Sequence, residues 1–163
     1  MFFETMVREN YKMILKKDIC VLVLCFMMIG SAYAIPKDVE IYVRNTNASY
    51  VNRGMCSLAF DVLAYDALDN IESIDFTVTM KDKNSKLIGR DQVTADEFNF
   101  VGGKTYGRFF IEGEKACDAF GENLNISKAI VKHNDGAKSE DIVKTQKLKV
   151  DDFKPMKIVI GGK

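Results

Sequence analysis

Residues 102–105 of this chain read Gly-Gly-Lys-Thr, the closing step of a phosphate-binding loop, so nucleotide binding is the first chemistry to weigh. Such a loop also needs a glycine five residues before its second one, so that successive backbone N–H groups curl around the phosphates, and a helix must follow. Phe98 stands at the required position, and Thr105 is followed by Tyr-Gly-Arg-Phe-Phe-Ile, which is aromatic and β-prone. The stretch reads as a glycine turn feeding a strand.

Other constellations are equally incomplete. His133 is the only histidine and lies in the turn-like "VKHNDG". One imidazole without cysteines at ligand spacing gives no material for a structural zinc site, and the serines carry no nucleophile-elbow signature. His133 is expected to be a solvated loop residue. Asp66, Asp69, Asn70, Glu72 and Asp75 form an oxygen-rich cluster at a strand junction. Their spacing does not match an EF-hand loop and its glycine is missing, so a solvated turn is expected rather than a calcium site. The expectation is a non-enzyme with no cofactor, no metal and no catalytic residue.

Cys56 and Cys117 remain as chemistry once the leader is set aside. In an exported, oxidising setting they are the only intramolecular pair, and a disulfide is predicted. It closes a loop of about 60 residues and contributes on the order of 3 to 4 kcal/mol by restricting the unfolded chain. Neither cysteine has a Cys-x-x-Cys partner or a nearby histidine, which argues against redox or nucleophilic roles.

The export setting is read from residues 1–34. Lys16 and Lys17 precede the apolar run "DICVLVLCFMMIG", and Ala32 and Ala34 of "SAYA" form the small-x-small pattern of signal peptidase. Cleavage after Ala34 is predicted, with the mature protein secreted or periplasmic and free of the membrane. The run is short for a bilayer span. Met13 before Ile-Leu-Lys-Lys begins a compact signal peptide by itself, so residues 1–12 read as an upstream extension. Cys20 and Cys25 leave with the leader, and Cys25 follows Val-Leu-Val-Leu rather than the small residues of a lipid-attachment site.

The mature chain, 35–163, has 129 residues, one domain with room for a core. Of 23 basic and 23 acidic residues the leader holds four and three, leaving 19 and 20. That near neutrality points away from nucleic acid and anionic membranes. Lys138, Lys144, Lys147, Lys149, Lys154, Lys157 and Lys163 crowd the C-terminal quarter, where polyanion binding competes with a plainer reading. In the plainer one, Lys147 and Lys149 line the wet face or the edge of a strand whose Leu148 and Val150 face inward. "NAS" at Asn47 and "NIS" at Asn125 match the glycosylation pattern and matter only in a glycosylating host.

Period two dominates after residue 38. Val39, Ile41 and Val43 fall on one face; so do Cys56, Leu58, Phe60, Val62 and Ala64, and so do Ile74, Phe76, Val78 and Met80. Leu63 and Tyr65 make the second face of the 56–67 run partly apolar, the mark of a central strand. In 104–111, Tyr106, Arg108 and Phe110 alternate with Gly107, Phe109 and Ile111. Further strands are expected in "LIGRDQVTA", "LNISKAIVK", "IVKTQKLKV" and "MKIVI", with "HNDGAKSED" as a turn. "GEKACDAFGE" reads equally as one helical turn or a loop. Short strands, turns about every ten residues and two prolines predict an all-β, antiparallel β-sandwich of seven to eight strands with one disulfide. It is fibronectin type III/immunoglobulin-like. The chain has no Trp, and Lys115 stands where a tyrosine-corner Tyr belongs, so the fibronectin type III form is favoured over a true immunoglobulin domain. Tyr42, Tyr50, Tyr65, Tyr106, Phe98 and Phe100 are the aromatics a binding module would use, with core and rim packing as the plainer assignment.

Taken together, "SAYAIPKDVEIYVRN", Cys56 with Cys117, and the length resemble the interleukin receptor mimic protein A family of small secreted proteins from pathogenic Escherichia coli. The resemblance spans the mature chain and rests on format more than motif. It implies a fibronectin type III-like fold similar to cytokine-receptor domains, a homodimer formed by strand exchange, and binding of host interleukins with immune modulation. It carries over no binding residue. The glycine-containing connection "DEFNFVGGKTYG" is expected to serve as a hinge for exchange. Two other classes compete: a periplasmic or surface structural module, such as an adhesin accessory taking a donated strand, and a secreted enzyme inhibitor.

Overall fold

The computed structural model describes residues 35, 39–52, 54–65, 68, 70–119, 123–151 and 156–161. The chain divides into Met1–Ala32 and Tyr33–Lys163, and every described residue belongs to the second unit. The predicted leader and Asp66 and Asp69 of the acidic cluster lie outside the described residues.

The elements are β1 (Ile41–Asn52), β2 (Met55–Ala64), β3 (Ile71–Lys81), β4 (Leu87–Val101), β5 (Lys104–Gly113), α1 (Glu114–Asp118), β6 (Asn123–His133), β7 (Glu140–Asp141), β8 (Leu148–Val150) and β9 (Lys157–Ile160). The fold is all-β, and α1 is the one helical turn in the stretch left open between turn and loop. Eight strands follow one another in the order β7-β6-β3-β4-β5-β2-β1-β8, while β9 pairs with β6. Most ladders are antiparallel. β1–β8 and β6–β9 are parallel, a departure from the wholly antiparallel expectation.

Alternation decides what is inside. Val39, Ile41, Val43, Cys56, Leu58, Phe60, Val62, Ile74, Phe76, Val78 and Met80 are all buried, as their parity requires. Phe60 and Phe109 face each other across the β2–β5 ladder and stack at 4.7 Å, and Phe76 of β3 stacks on Phe109 at 4.8 Å. This aromatic column joins the β2–β5 half of the curled sheet to the β3–β6 half. Cys56, at the start of β2, is bonded to Cys117 of α1, so the predicted disulfide is present.

β4 makes the sheet continuous. Its residues through Ala95 pair with β3, and from Asp96 onward it pairs with β5. Two steps on β5, Arg108 to Tyr106, oppose three on β4, Asp96 to Asn99, and Glu97 adopts φ 52. This bulge bends the strand from one half into the other. The expected hinge "DEFNFVGGKTYG" is therefore strand on both sides of a tight hairpin. Gly102 and Gly103, at φ 60 and 81, form the two-residue turn that matches strand twist, which is the glycine turn the sequence predicts.

Four expectations need correction. His133 is 6% exposed at the end of β6, because its parity matches the buried Ala129 and Val131 and the ladder continues through Asn134 N–H to Asn70 O at 3.0 Å. "HNDGAKSED" is not wholly a turn, since it contains the end of β6 and the short β7. "IVKTQKLKV" is a turn over 142–146 and a strand only over Leu148–Val150. Lys147 does not line a wet face. Its ammonium pairs with Glu140 at 2.9 Å and donates to the carbonyl of the buried Ile35 at 2.6 Å. Lys149 is outward, as expected, and reaches Glu40.

Candidate functional site

The outer face of the β8-β1-β2-β5 half gathers most of the unusual side chains. Because Phe60 and Val62 point inward, Asp61 and Leu63 must point outward. Register places Arg44, Asp61, Arg108 and Asp96 in one row across four strands, and Tyr42, Leu63, Tyr106 and Asn99 in the next. Leu63 is buried between its two tyrosine neighbours, which accounts for the partly apolar second face of β2.

Asp61 is the centre of this face. Its side chain is 6% exposed although it lies on the solvent side, because basic and aromatic neighbours close over it. Oδ1 accepts from the Tyr106 hydroxyl at 2.7 Å and from Arg108 Nε at 2.9 Å. Oδ2 lies 3.5 Å from Arg44 Nη2, and Arg44 Nη1 lies 3.6 Å from Asp151. Arg108 also donates through Nη2 to the Tyr106 hydroxyl and sits over that ring. The hydrogen bond to Asp61 holds Arg108 firmly charged. Burial, then the neighbouring Asp61, pushes the Tyr106 hydroxyl above the usual tyrosine range.

A second chain of contacts runs along the adjoining edge. Lys149 reaches Glu40 at 3.3 Å, and Glu40 accepts from the Tyr42 hydroxyl at 2.8 Å. The Tyr42 and Lys149 contacts together lower the Glu40 pKa, and the same hydrogen bond raises that of Tyr42. Tyr42 meets Tyr65 edge to face at 5.3 Å, and the Lys104 ammonium lies 4.7 Å from the Tyr65 ring centroid. Phe100 and Val101 at the β4–β5 hairpin tip are exposed, as is Phe110 farther along β5.

The six aromatics singled out by sequence therefore separate. Tyr42, Tyr65 and Tyr106 share this face and Phe100 borders it. Tyr50, 76% exposed, stands at the far end of β1 with Val51 and Met55. Phe98 is structural: it packs against the core, and its ring covers Gly107 so closely that a Cβ there would lie 2.5 Å from a ring carbon. Arg44, Asp61 and Arg108 were not anticipated as a unit. Their common outward parity and central strand position are the signal that would have joined them.

The acidic cluster is only partly described. Asp75 is bound to Lys132 at 2.8 Å and accepts from the Thr94 hydroxyl at 2.8 Å, contacts that hold its pKa below the usual carboxylate value. Among the described residues no three His, Cys, Asp or Glu side chains converge as a metal site requires. No helix among them is long and apolar enough to cross a membrane.

Fold and face together define a disulfide-bonded all-β domain with a tyrosine- and arginine-rich sheet surface. No family model matches the chain, and no curated protein matches it. A solved structure of IrmA from Escherichia coli is similar, with a TM-score of 0.55 and 18% identity, covering 72% of this chain and 96% of that one. IrmA is the protein of the family that the predicted leader, cysteines and length resemble. The likeness is one of fold.

Proposed function

We propose that the protein is a secreted, non-enzymatic binding protein that engages a protein partner through the Tyr42, Tyr65, Tyr106, Arg44 and Arg108 face. The observation that carries this reading is the pre-organised surface around Asp61. Tyrosine and arginine are the residue types that dominate binding energy in protein interfaces, and here hydrogen bonds and ring contacts hold them before any partner arrives.

The partner class comes from the family resemblance, supported by the fold likeness to IrmA: host interleukins, with modulation of the immune response. On this reading the curled sheet acts as a fibronectin type III-like sandwich, its two halves meeting across Phe60, Phe109 and Phe76. Export follows from the leader and agrees with the disulfide. A homodimer formed by strand exchange belongs to the same proposal, and a monomer mass by light scattering at micromolar concentration would sink that part.

The test is biosensor binding of the oxidised, exported protein to a panel of interleukins, with Cys56→Ser as a folding control. Saturable binding that weakens in the control supports the reading. No binding to any panel member by verified folded protein removes the interleukin assignment.

A further inference from the structure

β4 serves two neighbours in turn, and this leaves a gap. β4 and β5 part at the Asp96–Arg108 pair, after which β4 keeps to β3, while Phe109–Gly113 of β5 pair with β2. Successive residues of a strand present their N–H and C=O groups to alternate sides, so both parted strands turn toward the space between them backbone that no described strand pairs. A cleft of about 520 Å³ extends from Thr94 and Asp96 to Phe110. Another of about 320 Å³ lies between Asp91, Glu112 and the start of α1. Of the 15 residues in β4 only Ala95 is buried, as suits an edge.

The walls of the gap select what fills it. Asp91, Asp96, Glu97, Glu112 and Glu114 line the two clefts, and none forms an ion pair with a described residue. Asp61, Asp75 and Glu140, by comparison, each have a cation within 2.9 Å. The basic residues lining the clefts are Arg108, already committed to Asp61, and Lys115. Phe110, 49% exposed, supplies apolar surface beside the carboxylates, while Met80 and Ile111 form the buried floor of the second cleft.

We infer that this gap accepts an extended segment of a partner protein as an added strand, one in which Lys or Arg alternates with apolar residues. Backbone pairing to the open edge gives affinity along the strand, and alternate side chains meet the carboxylates and the exposed Phe110 ring. The inference does not rest on the interleukin assignment, but the two surfaces meet: Tyr106 and Arg108 border the first cleft, so a partner seated on the Tyr and Arg face would compete with the added strand there.

The experiment uses the oxidised, exported protein and synthetic peptides of about eight residues, a typical strand length, alternating Lys with Val or Glu with Val. Binding is followed by titration, and amide hydrogen exchange maps the site. The inference expects the Lys peptide to bind, to slow exchange in 109–113 or 88–95, and to lose about tenfold in affinity in the Asp91→Lys/Glu112→Lys variant with little change in melting temperature. Rising salt should weaken it further. Three results overturn it: equal binding of the Glu peptide, Lys-peptide binding without protection at the gap, or no binding. Protection of the same amides by self-association alone assigns the gap to a second copy of the chain and overturns the choice of partner.

Discussion

At the residue scale, charge placement on the outer face is a claim about Asp61. Its carboxylate is nearly enclosed and serves two guanidinium groups and a hydroxyl at once. Asp61→Asn keeps the shape and removes the charge, leaving Arg108 without its counter-ion and Arg44 with Asp151. The expected loss is about 1 to 3 kcal/mol, moderated because the arginines retain water. Urea unfolding at neutral pH checks this, and an unchanged midpoint would count against a structural role for the network. His133 gives a prediction of opposite sign. Both ring nitrogens are buried without a hydrogen-bond partner among the described residues. His133→Leu should therefore stabilise the fold by about 1 kcal/mol or more, provided the new side chain packs, since no buried polar atom is left unsatisfied. A lower melting temperature would show that the imidazole has a partner in solution. Asp75 and Tyr106 set the pH limits. The Asp75 pKa is depressed by Lys132, so its contribution is present above the unfolded carboxylate value and is lost as pH falls through the folded one. The Tyr106 pKa is raised, so its contribution is present below the unfolded tyrosine value and is lost as pH rises through the folded one. Stability should thus decline at both the acidic and the alkaline extreme, with the acid limb reduced in Asp75→Asn and the alkaline limb in Tyr106→Phe.

At the element scale, the strands were legible wherever one face meets the core and the other meets water. β1, β2, β3 and β5 follow their alternation closely, and Gly102–Gly103 is the turn its composition indicates. β4 was less legible. A bulge lets one strand change partners, and the residues that do it, Glu97 and Phe98, carry no turn signature of their own. The Lys-rich 142–150 segment misled because its alternation is real, yet the local hydrogen bonds Thr145 N–H to Asp141 O and Lys147 N–H to Ile142 O coil its first half into turns. His133 misled because neighbours such as Asn134 and Gly136 suggest a turn, while parity alone decides its direction. Within the candidate site, the tyrosines could be named from sequence, but not the Arg44–Asp61–Arg108 row, which depends on register between distant strands. The bulge also yields a packing prediction. Gly107→Ala would push a methyl group into the Phe98 ring, so the ring must leave its place over β5. A cost of about 1 to 3 kcal/mol is expected, with greater exposure of Phe98 to solvent, and chemical denaturation of the variant measures it.

At the scale of the whole molecule, one covalent tie and one aromatic column hold the architecture. The Cys56–Cys117 bond joins β2 to α1 over a sequence separation of 61 residues. Reducing it, or replacing both cysteines with Ser, should remove on the order of 3 to 4 kcal/mol, or roughly 10 °C or more of melting temperature at this chain length. The surrounding framework presents its polar and aromatic groups asymmetrically, with the Tyr and Arg face on the β8-β1-β2-β5 half and Tyr50, Val51 and Met55 exposed at the far end of β1. That asymmetry provides an internal control for the central claim, that the Asp61-centred face is where a protein partner binds. The most direct measurement is a pair of interleukin binding isotherms for Tyr65→Ala/Arg108→Ala and for Tyr50→Ala, each compared with the unaltered protein. The account predicts that the face variant weakens binding by tenfold or more, about 1.4 kcal/mol or above, while the Tyr50 variant leaves it unchanged. Binding unaffected by the face variant, or lost equally in both while each remains folded, would contradict it.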